Sequence, residues 1–108
     1  MEIMPRDYPD LKHKVHLVRG HRALSDGDVS LAENELLLAC GYPGRVLSSF
    51  GPNMTLAKRL LVRGHSSAVL EFIDRCSLHW GRGDETVLKW RSDIRAGKVP
   101  DFGANLDY

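Results

Sequence analysis

A chain of 108 residues is long enough for one hydrophobic core and too short for two domains. Hydrophobic residues make up 43% and charged residues 27%, the balance of an ordinary globular domain and not of a disordered chain. Lys and Arg number 15 against 14 Asp and Glu, a net charge of +1 with no run of like charges, so there is no basic face to meet nucleic acid or an acidic membrane.

The opening stretch, "MEIMPRDYPDLKHK", has an early acid and no apolar core, and so lacks the pattern of a secretory signal. No segment reaches the roughly 18 apolar residues that a membrane span needs. The expectation is a cytoplasmic chain whose two cysteines, Cys40 and Cys76, stay reduced.

Pro9 and Asp10 suit the first turn of a helix, where proline loses no hydrogen bond and an acid meets the positive end of the dipole. Leu11, Val15, Leu17, Val18 and Leu24 follow at helical spacing. Asp26-Gly27 predicts the turn, and Asp28 or Ser30 the next cap; Ser30 and Glu33 have the spacing of a capping box. Val29, Ala32, Leu36, Ala39 and Cys40 give the buried stripe of a second helix, stopped by Gly41, Pro43 and Gly44.

After the loop "RVLSSFGPN", Asn53 is placed to cap a third helix with Leu56, Ala57, Leu60 and Leu61 on its inner face and Gly64 at its end. Ser66 or Ser67 caps a fourth, bearing Val69, Leu70, Ile73, Cys76 and Trp80. Asp84 opens a fifth with Val87, Leu88, Trp90 and Ile94, closed by Gly97 and Pro100. An irregular tail, 98–108, remains. The fold class is all-α, with about five helices and no convincing strand.

Four pairs of small or turn residues recur 37 positions apart: Gly20 with Ala57, Gly27 with Gly64, Ala32 with Val69, and Ala39 with Cys76. Small side chains at such sites let helix backbones approach and one helix pair stack on the next. The stretch "HLVRGHRALSDGDVSLAENELLLACGYPG" resembles a tetratricopeptide repeat, with Gly20, Ala23, Gly27, Ala32, Leu36, Ala39 and Pro43 in the family's roles. His16 stands where the family has a bulky aromatic, and the period of 37 exceeds the usual 34. The resemblance covers roughly residues 13 to 81, one good repeat and one degenerate.

It implies a short right-handed stack of antiparallel hairpins: 9–44 the first, 53–81 the second, 84–97 a capping helix, and a tail folded back over an open end through Phe102 and Leu106. It also implies a concave groove holding a peptide or partner helix. Lys14, Leu17, His21 and Leu24 would form its first wall, and Met54, Lys58 and Leu61 its second. That mixture suits a segment with apolar anchors and an acidic group near Lys14 and Lys58. The carboxylate clamp of chaperone-binding members needs several Lys and Asn, and the two lysines alone do not make one.

Other motifs yield to plainer readings. "GHSSA", residues 64 to 68, falls one residue short of a G-x-S-x-G nucleophile elbow and follows a helix where the elbow needs a strand, so its serines are read as caps. His13, His16, His21, Cys40 and Cys76 include no C-x-x-C or H-x-x-x-H pair, and no metal is expected. The cysteines are read as small core residues whose side chains face differently, with no disulfide. "RGD" at 82–84 is a turn and helix cap, and "DFG" at 101–103 lacks every other kinase element.

The expected function is therefore a non-enzymatic protein–protein interaction module without cofactor. The alternatives are an assembly element forming a homodimer through an open end at Trp80, Trp90 or Phe50, and an enzyme built on His21, His65 or His79.

Overall fold

The computed structural model describes residues 8–41, 51–78, 80 and 84–106. The predicted helices are there in order: α1 (Tyr8–Ser25), α2 (Val29–Leu38), α3 (Thr55–Val62), α4 (Ser67–Ser77) and α5 (Asp84–Arg95). Short 3₁₀ turns follow α2 (Ala39–Gly41) and close the tail (Gly103–Leu106). Among the described residues there is no strand, and the fold is all-α.

Three helices end in the same way. Gly27, Gly64 and Gly97 take φ of +83°, +86° and +82°, a conformation that a Cβ penalises. At each, the glycine N–H and the next N–H turn back to the helix: Gly27 to Leu24 O and Asp28 to Ala23 O, Gly64 to Leu61 O and His65 to Leu60 O, Gly97 to Ile94 O and Lys98 to Asp93 O. This double bond to the last carbonyls is the Schellman motif. Asp28 then caps α2, its Oδ1 accepting Leu31 N–H at 3.1 Å, so of the two candidate caps the aspartate takes the role. At α4, Ser66 holds the cap position without a side-chain bond.

Of the four recurrent pairs, Gly27 and Gly64 are alike in backbone, while Ala32, Val69, Ala39 and Cys76 are all buried. Gly20 is where α1 meets α3: a Cβ there would overlap Leu56 Cδ2 and press on the Ala32 carbonyl and Glu35. His16 faces α2, as an aromatic in its place would, with Nδ1 at 2.7 Å from Glu35 Oε1.

The far end of the molecule is closed by aromatic packing. Trp80 and Trp90 stand with ring centroids 5.7 Å apart, and Phe102 meets Trp90 edge-on at 5.0 Å. Phe102 is buried and Leu106 packs against the core, as the tail was expected to do. Burying a Phe contributes about 1.5–3 kcal/mol, and the ring pair about 0.5–1.5 kcal/mol beyond that. Asn105 adds two hydrogen bonds to the loop before α3, its Nδ2 donating to Pro52 O at 2.9 Å and its carbonyl accepting Met54 N–H at 2.8 Å. "DFG" belongs to this tail: Asp101 Oδ1 accepts Gly103 N–H, turning the chain so that Phe102 points inward. The open-end role expected of the tryptophans is thereby corrected, since both are buried. Phe50, His79 and most of "RGD" lie outside the described residues.

The cysteine reading is also corrected. Cys40 and Cys76 form a disulfide, with Cα atoms 5.2 Å apart, inside the usual span of such a bond. Cys40 lies in the 3₁₀ turn that follows α2 and is buried, as is Cys76 on α4. The bond closes a separation of 36 residues, for which chain entropy gives a stabilisation of about 4 kcal/mol. Urea unfolding with and without reductant checks this: reduction should lower the midpoint markedly, and Cys40→Ala with Cys76→Ala should behave alike in both buffers. An unchanged wild-type midpoint would contradict the pairing.

Candidate functional site

Between α1 and the start of α3 lies a cavity of about 250 Å³, lined by Lys14, Leu17, Val18, His21, Asn53 and Thr55. α1 supplies four of these residues because positions 14, 17, 18 and 21 recur along one side of a helix. The other two come from the turn into α3, and a chain of hydrogen bonds holds that turn in place.

The chain begins at buried His13, whose Nδ1 donates to Ala39 O at 2.8 Å. Its Nε2 accepts Asn53 N–H at 3.2 Å. Asn53 Oδ1 accepts both Thr55 N–H at 3.0 Å and the Thr55 hydroxyl at 2.6 Å. With its hydroxyl hydrogen directed at Asn53, Thr55 Oγ1 accepts from His21 Nε2 at 3.0 Å. His21 Nδ1 then accepts from Arg59 Nη1 at 2.9 Å, and the same guanidinium donates to His21 O and Ser25 Oγ.

Every donor in this series meets an acceptor only if His13 carries its proton on Nδ1 and His21 on Nε2. Both rings are neutral in this arrangement. Burial lowers the pKa of His21 below 6.5, and the adjacent Arg59 charge lowers it further.

The cavity therefore has an apolar floor, Leu17, and a cationic rim, Lys14, with no acid among the described residues of its lining. Lys14 has no ion pair among the described residues. Asn53 Oδ1 is taken by Thr55, while its amide nitrogen has no partner there. Two donors of different strength are thus free beside an apolar surface.

Of the seven residues expected to form a groove, the structure gathers Lys14, Leu17 and His21 at this cavity. Leu24 and Met54 are less than 2% exposed and belong to the core. Lys58 is exposed and Leu61 half-buried, both outside the cavity lining. Across this cavity from α1 stand Asn53 and Thr55, and Met54, Lys58 and Leu61 are not in its lining. The reason is rotational: α3 turns Leu56, Ala57 and Leu60 inward, which aims Thr55 and Arg59 at α1. Arg59 and Asn105 were missed as positioning residues, and Asn105 lies in a tail with no periodicity to announce it. Among the described residues no three of His, Cys, Asp and Glu group closely enough to hold a metal ion.

No family model matches the chain, nor does any curated protein or solved structure.

The lowered pKa of His21 fixes the sign of one pH effect. Between its folded value and 6.5 the unfolded chain binds the extra proton, so this contribution is complete above about pH 6.5 and declines as pH falls below it. Urea midpoints measured from about pH 7.5 down to about pH 5 should fall more steeply for the wild type than for His21→Gln. Equal slopes would contradict the assignment.

Proposed function

We propose that this chain is a non-enzymatic protein–protein interaction module that holds a peptide segment in the cavity between α1 and α3. The observation that carries this reading is the pairing of an apolar floor with two donors, Lys14 and the Asn53 amide, that have no partner among the described residues, in a recess whose described lining holds no acid. An extended segment presenting a carboxylate beside an apolar side chain matches that chemistry. A charge-assisted bond to Lys14 and a neutral one to Asn53 would orient it.

The helix-hairpin repeat supports the same reading. Gly27 and Gly64, 37 positions apart, make the same turn, and the resemblance to tetratricopeptide hairpins implies first helices that line a binding groove. At the cavity, His21 and His13 favour binding over catalysis: a general base needs a free lone pair, and both ring nitrogens of each are engaged.

For the compartment, no helix among the described residues is long and apolar enough to cross a membrane. The cytoplasmic expectation rested on the lack of a signal pattern. The Cys40–Cys76 bond favours instead a compartment in which disulfides persist.

Selection from a random displayed-peptide library tests the module directly. Selected peptides should share a carboxylate next to an aliphatic or aromatic residue. Lys14→Glu should weaken their binding about tenfold or more, and Lys98→Glu, in the turn after α5, should leave it unchanged. Failure to enrich any peptide, or binding indifferent to Lys14, would overturn the reading.

A further inference from the structure

The disulfide and the cavity meet at one short turn. Ala39 and Cys40 are neighbours in the 3₁₀ turn Ala39–Gly41, and Cys76 on α4 ties that turn down. The Ala39 carbonyl accepts from His13 Nδ1 at 2.8 Å, and His13 Nε2 in turn accepts the Asn53 N–H at 3.2 Å. Asn53 lines the cavity. A reducible bond is thus joined to the wall of the site through one residue and the two hydrogen bonds of a histidine.

We propose that the Cys40–Cys76 bond is a redox switch for the cavity. Oxidised, it holds the Ala39 carbonyl where His13 can anchor Asn53; reduced, it releases that anchor and loosens the wall. The regulation of binding rests on the cavity's being the peptide site, whereas the switch itself is a property of the fold. The reductant is a thiol. Its thiolate attacks one sulfur, forms a mixed disulfide and expels the other sulfur as a thiolate. A second thiolate then frees the first protein sulfur, so the reductant leaves as its own disulfide and its two protons end on Cys40 and Cys76.

Two observations mark a switch and not a staple alone. The reduced state has a partner in place: Cys40 Sγ stands 3.4 Å from the Phe72 carbonyl, an acceptor for the hydrogen that a thiol has and a disulfide lacks. The surroundings also transmit the change, because Ala39, Cys40, Phe72 and Cys76 are at most 3% exposed. Sulfurs cannot part in so close-packed a core without moving what carries them. Of the two carriers, a three-residue turn yields before an eleven-residue helix. Burial sets the rate as well: a thiolate reaches either sulfur only when the turn opens, so reduction is slower than at an exposed disulfide.

Nuclear magnetic resonance of the oxidised chain, and of the chain held in dithiothreitol until both cysteines titrate as thiols, provides the test. On reduction His13 should lose its Nδ1–H tautomer, while His21, held by Arg59, keeps its Nε2–H. Hydrogen exchange at the Asn53 amide should quicken at least about tenfold, and the Met54 amide, held by the Asn105 carbonyl, should quicken far less. Cys40→Ala with Cys76→Ala should match the reduced chain in either buffer. A displayed peptide selected on the oxidised chain should bind the reduced one at least about tenfold more weakly. His13 and Asn53 indifferent to reduction, Asn53 and Met54 quickened alike, a reduced chain that unfolds outright, or equal peptide affinity in both states would each overturn the switch. If no peptide is selected, the peptide-site reading fails by itself, and the His13 and Asn53 signals still decide the switch.

Discussion

The missing side chain at Gly20 is the constraint from which the site follows. With nothing but a hydrogen at that position, Leu56 Cδ2 occupies the space a Cβ would need, and α3 lies close against α1. Only at that separation can His21 reach Thr55 and can the Asn53 backbone reach His13, bonds of 3.0 and 3.2 Å. Glycine in a helix interior costs about 1 kcal/mol against alanine. Here that cost is offset by a buried leucine and a continuous polar seam.

The seam has a direction. It begins at the carbonyl of Ala39 and ends at a guanidinium that no pH in the physiological range discharges, so the permanent charge of Arg59 sets the proton positions of His21 and Thr55. His21 must present a lone pair to it, Thr55 must then accept from His21, and Asn53 Oδ1 must accept the Thr55 hydroxyl's hydrogen bond. The Asn53 amide nitrogen is left over and faces no partner among the described residues. Its availability in the cavity is therefore a consequence of Arg59, two residues removed. The tail takes part as well: Asn105 grips Pro52 and Met54 on either side of Asn53, so the C-terminal turn helps to shape a site formed mainly by the first and third helices.

Much of this was legible in the residues, for local reasons. Gly27, Gly64 and Gly97 end helices because a left-handed turn is cheap for glycine, and Asp28 caps because its short carboxylate reaches the third N–H of α2. Phe102 is the one aromatic in the described tail and packs on Trp90. What was illegible depends on rotation about a helix axis. Cys40 meets Cys76 from a 3₁₀ turn that helical spacing does not announce, and Asn53 and Thr55, not Met54, Lys58 and Leu61, face α1 across the cavity. Spacing rules assume 100° per residue, and an error of one residue moves a side chain to another face. Arg59 escaped notice because an arginine on an amphipathic helix looks solvated until its neighbour is known.

The protonation pattern of the two histidines tests the seam most directly, since any other packing of α3 on α1 would leave it undetermined. Long-range proton–nitrogen correlation spectra at neutral pH should show His13 as the pure Nδ1–H tautomer and His21 as the pure Nε2–H tautomer, both uncharged. Substituting Arg59→Met should release His21 to a tautomer mixture while leaving His13 unchanged. Averaged tautomers at both rings in the wild type, or a protonated His21, would contradict the account.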